Sequence, residues 1–378
     1  MRSPSRRTPV AVNRRRVAII SAAAAVVLAG AAIGFFALSG SEKSETSEPT
    51  TTTTTTTAPL PVWPLTGLAD AAASTSGDHP AIVVKMDNSQ DARPQTGINQ
   101  ADIVYELLVE GITRFALVFH SDLADPVGPV RSARSSDVDL VANLSKPLFA
   151  WSGGNAGVTA EISAAARNGI LTDSSYNIAT AAYYRSNDRM APHNLYLHLP
   201  QLLGMMAPSG QGAPSPIFTY LAKDAVFGGA PVPGMSVDFG GGTVIDYVWD
   251  PLTKGWNRFQ IDGAHPRANS ATLDEKGIQV APANVVILFT EYGVSPADSR
   301  SPMALTVGSG AAVVLSDGKI VAGRWSRPTA ASPAVLTDSL GAPIDLVRGR
   351  TWVELPRPDS PVFPIDQIGA DALLALRK

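Results

Sequence analysis

The sequence predicts an α+β protein with an N-terminal transmembrane helix, a disordered stalk, a mixed α/β domain and a smaller, mostly antiparallel β domain. Three observations predict this fold: an apolar run near the amino end, irregular alternation of helix and strand patterns after it, and closely spaced hairpin signals in the last part. The predicted segments are a basic cytoplasmic tail (1–16), the membrane span (17–39), the stalk (40–62), a first domain (63–210) and a second, β-rich domain (211–378).

The apolar run follows directly on Arg14–Arg16, and it contains no charged residue between Val17 and Ser39. A helix of this length rises about 33 Å, which matches a bilayer core of about 30 Å. Basic flanks remain in the cytoplasm, so the rest of the chain is predicted to face outward. The alternative is a cleaved signal sequence, because small residues at Ala37 and Ser39 fit a cleavage site.

Composition narrows the class of protein further. Thr50 to Thr57 is an unbroken threonine run in a segment with almost nothing apolar to bury, which predicts a disordered stalk. The net charge of −3, with six arginines placed before the apolar run, argues against a nucleic-acid partner. The sequence contains no cysteine, which excludes disulfides, thiol nucleophiles and a lipid-modified cysteine within it.

Periodicity and turn signals place the elements of the two predicted domains. In the first domain they predict strands at 81–86 and 148–151, a pair of strands within 102–120, and helices at about 135–144, 156–167 and 200–206. A stretch rich in glycine, proline and serine at 205–216 marks the boundary. In the second domain they predict strand pairs at 243–249 with 256–261, 311–315 with 319–325, and 344–347 with 351–355, and a buried strand at the start of 284–292.

Two groups of polar residues in the first domain are candidate sites. Asp87, Asn88 and Arg93 follow a buried strand, where a loop displays binding groups. The alternative is a capped turn without a ligand. Glu106 and Glu110 are predicted to share one strand face, with Arg114 on the returning strand. They form either a structural ion pair with Arg114 or a pair of carboxylates for acid–base chemistry or metal binding.

The strongest candidate is the segment that contains Arg131, Ser132 and Arg134, just before a predicted helix start at Ser135 or Ser136. Free N–H groups at a helix N-terminus and two guanidinium groups suit a carboxylate or a phosphate. The alternative is that both arginines pair with nearby aspartates at positions 125, 137 or 139.

A last group consists of Arg185, Arg189, His193 and Asn194. A histidine among polar and aromatic groups suits a general acid or base, and the alternative is a hydrogen-bonded packing role. The sequence contains none of the common zinc-protease, nucleophile-elbow, phosphate-loop or EF-hand motifs, so no metal and no cofactor is predicted.

Several long phrases resemble one family. KMDNSQDARPQTGINQADIVYELLVEGITRF, GPVRSAR and RMAPHNLY are similar to the N-terminal domain of the YerB-like lipoproteins, a domain of unknown function numbered 3048. DYVWDPLTKGWNRFQIDG, SDGKIVAGRW and GRTWVELP resemble its companion C-terminal domain. The resemblance implies a two-domain envelope protein and carries over no catalytic residue. Because this chain lacks the lipid-bearing cysteine of the lipoprotein members, its anchor is expected to be the apolar helix.

The sequence therefore predicts a membrane-anchored, extracytoplasmic module that binds or scaffolds an anionic ligand, such as a cell-wall or envelope component, through Arg131, Arg134 and Arg185. The alternative is an envelope hydrolase that uses Glu106 or His193 as its base, with Asp87 or Glu110 as the partner. A third possibility is a structural partner of other membrane proteins, which requires an exposed apolar patch.

Overall fold

The computed structural model of the protein describes residues 61–70, 77–263 and 271–377. The predicted basic tail, the predicted membrane span at 17–39 and nearly all of the predicted stalk lie outside these ranges. Within the ranges, no helix has both the length and the apolar character that crossing a bilayer requires.

Strands far outnumber helices in the described chain. The elements up to residue 206 are β1 (Ile82–Met86), β2 (Ile103–Leu108), β3 (Thr113–Phe119), α1 (Ser136–Val141), β4 (Leu148–Ala150), α2 (Ala156–Arg167), β5 (Thr172–Asp173), β6 (Tyr183–Arg185), β7 (Leu195–Leu197) and α3 (Leu199–Met206). The later strands are β8 (Ala230–Pro231), β9 (Gly234–Gly240), β10 (Thr243–Asp250), β11 (Gly255–Asp262), β12 (Asn284–Leu288), β13 (Tyr292–Ser295), β14 (Asp298–Ala304), β15 (Gly308–Ser316), β16 (Lys319–Arg327), β17 (Val335–Asp338), β18 (Thr351–Leu355) and β19 (Val362–Ile365), and α4 (Gln367–Leu374) follows them.

The larger sheet takes strands from both halves of the sequence. Its order is β17-β16-β15-β12-β18-β2-β3-β1-β4-β5, with β8 beside β16. Strand β18 joins the halves, because it pairs in parallel with β12 on one side and with β2 on the other. Strands β1, β2 and β3 are buried along their whole length, as expected for near-continuous apolar strands that are covered on both faces.

Different elements cover the two faces of the larger sheet. The smaller sheet, with the order β11-β10-β9-β19, packs on one face, where Trp256 of the smaller sheet shares a core with Phe115 and Trp352 of the larger one. On the opposite face, Leu140 of α1 and Ile162 of α2 pack in a second core. Every strand in the middle of the larger sheet therefore has two buried faces.

The predicted fold class is wrong. Strands dominate the described residues, and strands from both predicted domains share one sheet, whereas the sequence predicted an α/β sheet followed by a separate antiparallel domain. The predicted strand at 344–347 does not form in the described chain, and 351–355 pairs with β2 and β12 instead. A hydrophobic pattern reveals a buried strand but not its distant partner. The boundary between 210 and 211 stays a prediction.

Candidate functional site

Two groups of charged and polar side chains, most of them buried, lie on opposite faces of the larger sheet. Side chains alternate between faces along a strand, so Lys85 and Arg114 face α1 and α2, whereas Glu106 and Glu354 face the smaller sheet. The group on the helix side, here called the Arg114 cluster, consists of Lys85, Asp87, Glu110, Arg114, Arg131, Arg134, Asp137 and His193.

The group on the other face, here called the Arg258 network, consists of Glu106, Tyr247, Arg258, Gln260 and Glu354. The fully buried Arg258 Nη2 donates to Glu106 Oε2 at 2.7 Å and to Gln260 Oε1 at 2.8 Å. Tyr247 donates a hydrogen bond to Glu354, whose pKa is raised well above its usual value by burial and by the charge of Glu106. The network connects the two sheets and is closed to solvent, which fits a structural role.

The predicted pairing of Glu106 with Arg114 is wrong. In the register of β2 and β3, Glu106 lies opposite Phe115, so it and Arg114 are on different faces. Glu106 and Glu110 do not share a strand face either, because β2 ends at Leu108 and Glu110 lies in the turn that follows. Only Glu106 belongs to the buried network, where Thr113 Oγ1 also donates to its carboxylate at 2.6 Å.

The base of the Arg114 cluster is a buried ion pair between Lys85 and Asp137. Lys85 Nζ lies 2.8 Å from Asp137 Oδ1, and desolvation lowers the pKa of Lys85 despite the attraction of this carboxylate. Asp137 Oδ2 accepts the backbone N–H of Arg134 at 2.7 Å. The helix start predicted to bind an anion therefore already holds a carboxylate, and α1 itself has only six residues.

Asp87 brings two predicted site residues together. Its Oδ2 lies 2.7 Å from His193 Nδ1 and 2.9 Å from Arg131 Nε, the second contact being an ion pair without hydrogen-bond geometry. Desolvation acts to raise the pKa of Asp87, but the backbone N–H of Ser89, the charge of Arg131 and the hydrogen bond with His193 outweigh it, so the pKa is lowered. Asp87 is thus an ionised carboxylate that positions both partners.

Arg114 differs from the other cations of the cluster, because no carboxylate of the described chain lies at ion-pair distance from it. The residue is only 4% exposed, its Nη1 lies 3.5 Å from the carbonyl oxygen of Ser132, and its Nε has no hydrogen-bond partner. Burial and then repulsion from Arg134 lower its pKa to about 10, although Asp87 acts in the opposite direction. Such a charge is unfavourable until an anion approaches it.

An open cleft of about 490 Å³ adjoins the cluster. Arg134 binds Glu110 in two places, with Nε 2.9 Å from Oε1 and Nη2 2.6 Å from Oε2. Partial burial opposes ionisation of Glu110, but the hydrogen bonds from Arg134 and Ser301 lower its pKa to about 2. The cleft, here called the α2 cleft, has a polar lining of Glu110, Ser132, Arg134, Asn155, Asp298, Arg300 and Ser301.

Helix α2 begins at this cleft, and the predicted helix at 156–167 is confirmed. Asn155 caps the helix by accepting the N–H of Val158 at 2.8 Å, and both residues line the cleft. The first N–H groups of a helix have no acceptor within it and carry partial positive charge. Gly153 has a φ of +89°, and a Cβ there would lie 2.8 Å from Ser132 Oγ, so glycine permits the close approach of these two segments.

Several predicted site residues lie away from this cleft. Arg185 Nη1 donates to Asn194 Oδ1 at 2.7 Å, and no contact joins it to the Arg114 cluster in the described structure. Arg189 Nη2 donates to the carbonyl oxygen of Pro94 at 2.6 Å. Arg93 Nη2 donates to the carbonyl oxygen of Asn88 at 2.6 Å. In the described structure these three arginines donate hydrogen bonds to loop atoms.

Sequence reasoning missed several residues of the α2 cleft and of the Arg258 network, among them Asn155, Asp298, Arg300 and Arg258. Asn155 had a signal, because it precedes a helical pattern and is a preferred cap residue. Asp298, Arg300 and Arg258 had none, since they reach the first half of the chain only through the sheet and its loops. The described residues contain no group of three histidine, aspartate or glutamate side chains arranged to hold a metal ion.

The fold and the buried clusters define a β-rich protein in which two sequence-distant halves build one sheet. The N-terminal domain model of the family described as "Protein of unknown function (DUF3048)" matches residues 65–211, and its C-terminal domain model matches residues 235–353. The chain therefore belongs to this family, and the predicted resemblance is confirmed.

A curated relative and a solved structure agree with this assignment. The chain is 28% identical over 302 residues to the Bacillus subtilis (strain 168) protein named "Putative lipoprotein YerB", a match over 77% of this chain and 85% of that protein. The crystal structure of YerB from Bacillus subtilis matches with a TM-score of 0.65 and 22% identity, and the match covers 80% of this chain and 99% of that one. At this identity the structural likeness establishes the fold alone.

Proposed function

We propose that the protein is an extracytoplasmic binding module that holds an anionic group, a carboxylate or a phosphate, in the α2 cleft. The observation that carries the proposal is the cationic side of this cleft. Arg134 and the N-terminus of α2 line it, and Arg114, a buried guanidinium without a carboxylate partner in the described chain, contacts Ser132 of the lining. An anion bound beside Ser132, whose carbonyl oxygen already contacts Arg114, would supply the missing negative charge.

The groups around the cleft suit such a ligand. Arg134 has a planar pair of donors, which a ligand would take over from Glu110, and hydrogen bonds to charged groups contribute about 1.5–3 kcal/mol each. The N-terminus of α2 adds about 0.3–1 kcal/mol for a nearby anion. Arg185, which the sequence placed with Arg131 and Arg134, is left out because it contacts Asn194 instead.

A titration with inorganic phosphate and with acetate tests this proposal, with chloride at equal ionic strength as the reference. The purified full chain should show saturable protection against thermal unfolding. Arg134→Gln and Arg114→Met should each weaken binding at least about tenfold, because each removes a cation worth at least about 1.4 kcal/mol to the bound anion. Arg324→Gln, which changes an exposed arginine of β16, is the matched control. Equal protection of all four proteins would contradict the proposal.

A hydrolase is the second candidate, and the contact of Asp87 with His193 favours it, because a carboxylate on Nδ1 orients an imidazole for general-base work. Ser89 Oγ, however, lies 3.1 Å from the same Nδ1, so it is not placed as a nucleophile that Nε2 could activate. Glu106, the other predicted base, is enclosed by Arg258. Turnover of purified cell-wall fragments that is lost in His193→Ala and kept in Arg324→Gln would favour the hydrolase over the binding module.

Attachment to the outer face of the membrane is part of the same proposal. The Bacillus subtilis relative is named a lipoprotein, and this sequence has no cysteine to carry a lipid. The uncharged residues 17–39, which follow Arg14–Arg16, are the segment suited to hold it there. Protease added to intact spheroplasts should digest the folded part. Its full protection in spheroplasts, with digestion after lysis, would place it on the cytoplasmic side instead.

A further inference from the structure

The α2 cleft carries charges of both signs. Beside the Arg134–Glu110 pair lies a second pair, in which Asp298 Oδ1 is 3.4 Å from Arg300 Nε. The two pairs differ in exposure, since the side chain of Arg300 is 88% exposed and that of Arg134 only 16%. The cation of Arg134 is therefore largely buried in the cleft, whereas Arg300 extends into solvent.

The two carboxylates lie side by side. The hydroxyl of Ser301 donates to Glu110 and lies 3.3 Å from Asp298 Oδ2, so one small side chain touches both. Both oxygens of Glu110 accept from Arg134, while Asp298 Oδ2 has only the long contact with Ser301 in the described structure. Glu110 and Asp298 thus form a cation-binding side of the cleft, next to the anion-binding guanidinium of Arg134.

A ligand that carries only a negative charge does not complement this arrangement of charges. An anion that takes both donors of Arg134 must displace Glu110, which then remains close by as an unpaired carboxylate next to Asp298. Like charges at this range disfavour the bound state, whereas an ammonium group on the same ligand would neutralise them.

Building on the proposed function, we infer that the ligand is a short zwitterion, with an ammonium group a few atoms away from its carboxylate or phosphate. The oxyanion binds Arg134 near the N-terminus of α2, with Arg114 beneath, and the ammonium binds Glu110 and Asp298. Without the ligand, Glu110 accepts two hydrogen bonds from Arg134. With the ligand bound, Glu110 accepts from the ammonium group instead.

Matched probes test the inference. Ethyl phosphate and O-phosphoethanolamine differ by an ammonium group, and so do propionate and β-alanine. Calorimetric titration of the full chain should give at least a tenfold tighter Kd for the ammonium-bearing member of one or both pairs. The pair with the larger gain tells whether the oxyanion is a phosphate or a carboxylate.

Variants locate the ammonium site. Asp298→Asn and Glu110→Gln should each reduce the gain to threefold or less while they keep ethyl phosphate binding. Asp359→Asn, in the neighbouring cleft beside Arg357, should leave the gain unchanged. Equal Kd values within both pairs in the wild-type protein would overturn the zwitterion and leave the anion-binding function standing. No saturable binding of any probe would overturn both.

Discussion

Two buried arginines contact opposite faces of the larger sheet in different surroundings: Arg114 belongs to its strand β3, and Arg258 reaches it from β11 of the smaller sheet. Arg258 lies between the two sheets, with Glu106 at 2.7 Å, Gln260 at 2.8 Å and the ring of Trp352 at 4.7 Å. Arg114 has a backbone carbonyl oxygen at 3.5 Å and an unpartnered Nε. Arg258 Nε also lacks a hydrogen-bond partner, so the two residues differ in their carboxylates: Arg258 has one at ion-pair distance, and Arg114 has none in the described chain. Burial alone therefore does not distinguish a structural arginine from a binding one, whereas the state of its counter-charges does.

The substitutions with the largest expected difference in stability test this comparison directly. Arg258→Met leaves the carboxylate of Glu106 buried without its partner, which should lower the free energy of unfolding by about 3–5 kcal/mol. Arg114→Met removes a cation that has no carboxylate partner, so its cost should stay below about 1 kcal/mol. Urea unfolding at neutral pH measures both, with the exposed Arg324→Gln as the control.

Equal losses in Arg258→Met and Arg114→Met would contradict the distinction. They would mean that the charges of the folded protein stabilise Arg114 as much as they stabilise Arg258. The proposal that its missing partner is a ligand would then lose its main support.

The pH dependence of stability that Glu354 causes is a second test of the Arg258 network. Its pKa in the folded protein is raised, first by burial, so the folded state keeps a proton that the unfolded state has lost. The stability from this protonated carboxyl is complete below the ordinary pKa of 4.5 and is lost as pH rises, by at most about 1.4 kcal/mol per pH unit. Glu354→Gln should flatten the fall in unfolding free energy above pH about 4.5, whereas Glu291→Gln at an exposed position should not. An unchanged slope in Glu354→Gln would show that another group titrates.

Local patterns predicted many of the individual helices and strands but not how the strands assemble into sheets. Helix α2 and the hairpin of β15 and β16 around Asp317-Gly318 could be predicted because their signals lie within a few residues. The insertion of β18 beside β2 could not, since pairing depends on distant segments.

The candidate site shows the same limit. Arg131, Ser132 and Arg134 could be recognised as a basic segment with hydroxyls, and Asp87 and His193 as neighbouring polar groups. The helix that presents its N-terminus to the cleft is nevertheless α2, one helix later than predicted, whereas the carboxylate of Asp137 already accepts the N–H of Arg134 just before α1. Asp298, which the inferred ammonium site requires, reaches the cleft only through the second half of the chain.

A substitution at Gly153 tests whether phosphate binding depends on the close approach of the segment before α2 to Ser132. Gly153→Ala places a methyl group 2.8 Å from Ser132 Oγ at a φ of +89°, which should cost about 1–2 kcal/mol in stability and weaken phosphate binding. Gly169→Ala is the matched control, since its φ of +75° is similarly unfavourable but nothing lies within 4 Å of the new methyl. Gly169→Ala should lose stability without losing phosphate affinity. If the two variants weaken phosphate binding alike, contact with Ser132 is not the cause.

The smallest expected effect concerns Glu110, whose pH dependence has the opposite sign to that of Glu354. Hydrogen bonds from Arg134 and Ser301 overcome partial burial and lower the pKa of Glu110 from 4.5 to about 2. Its stability contribution is therefore present above pH about 4.5 and is lost as pH falls towards about 2. Because the side chain is 38% exposed, solvent screening should limit the loss in Glu110→Gln to about 1 kcal/mol at pH 7. Urea unfolding at pH 7, 4 and 2.5 should show the difference from wild type shrinking with pH, and a constant difference would mean that Glu110 acts through packing instead of charge.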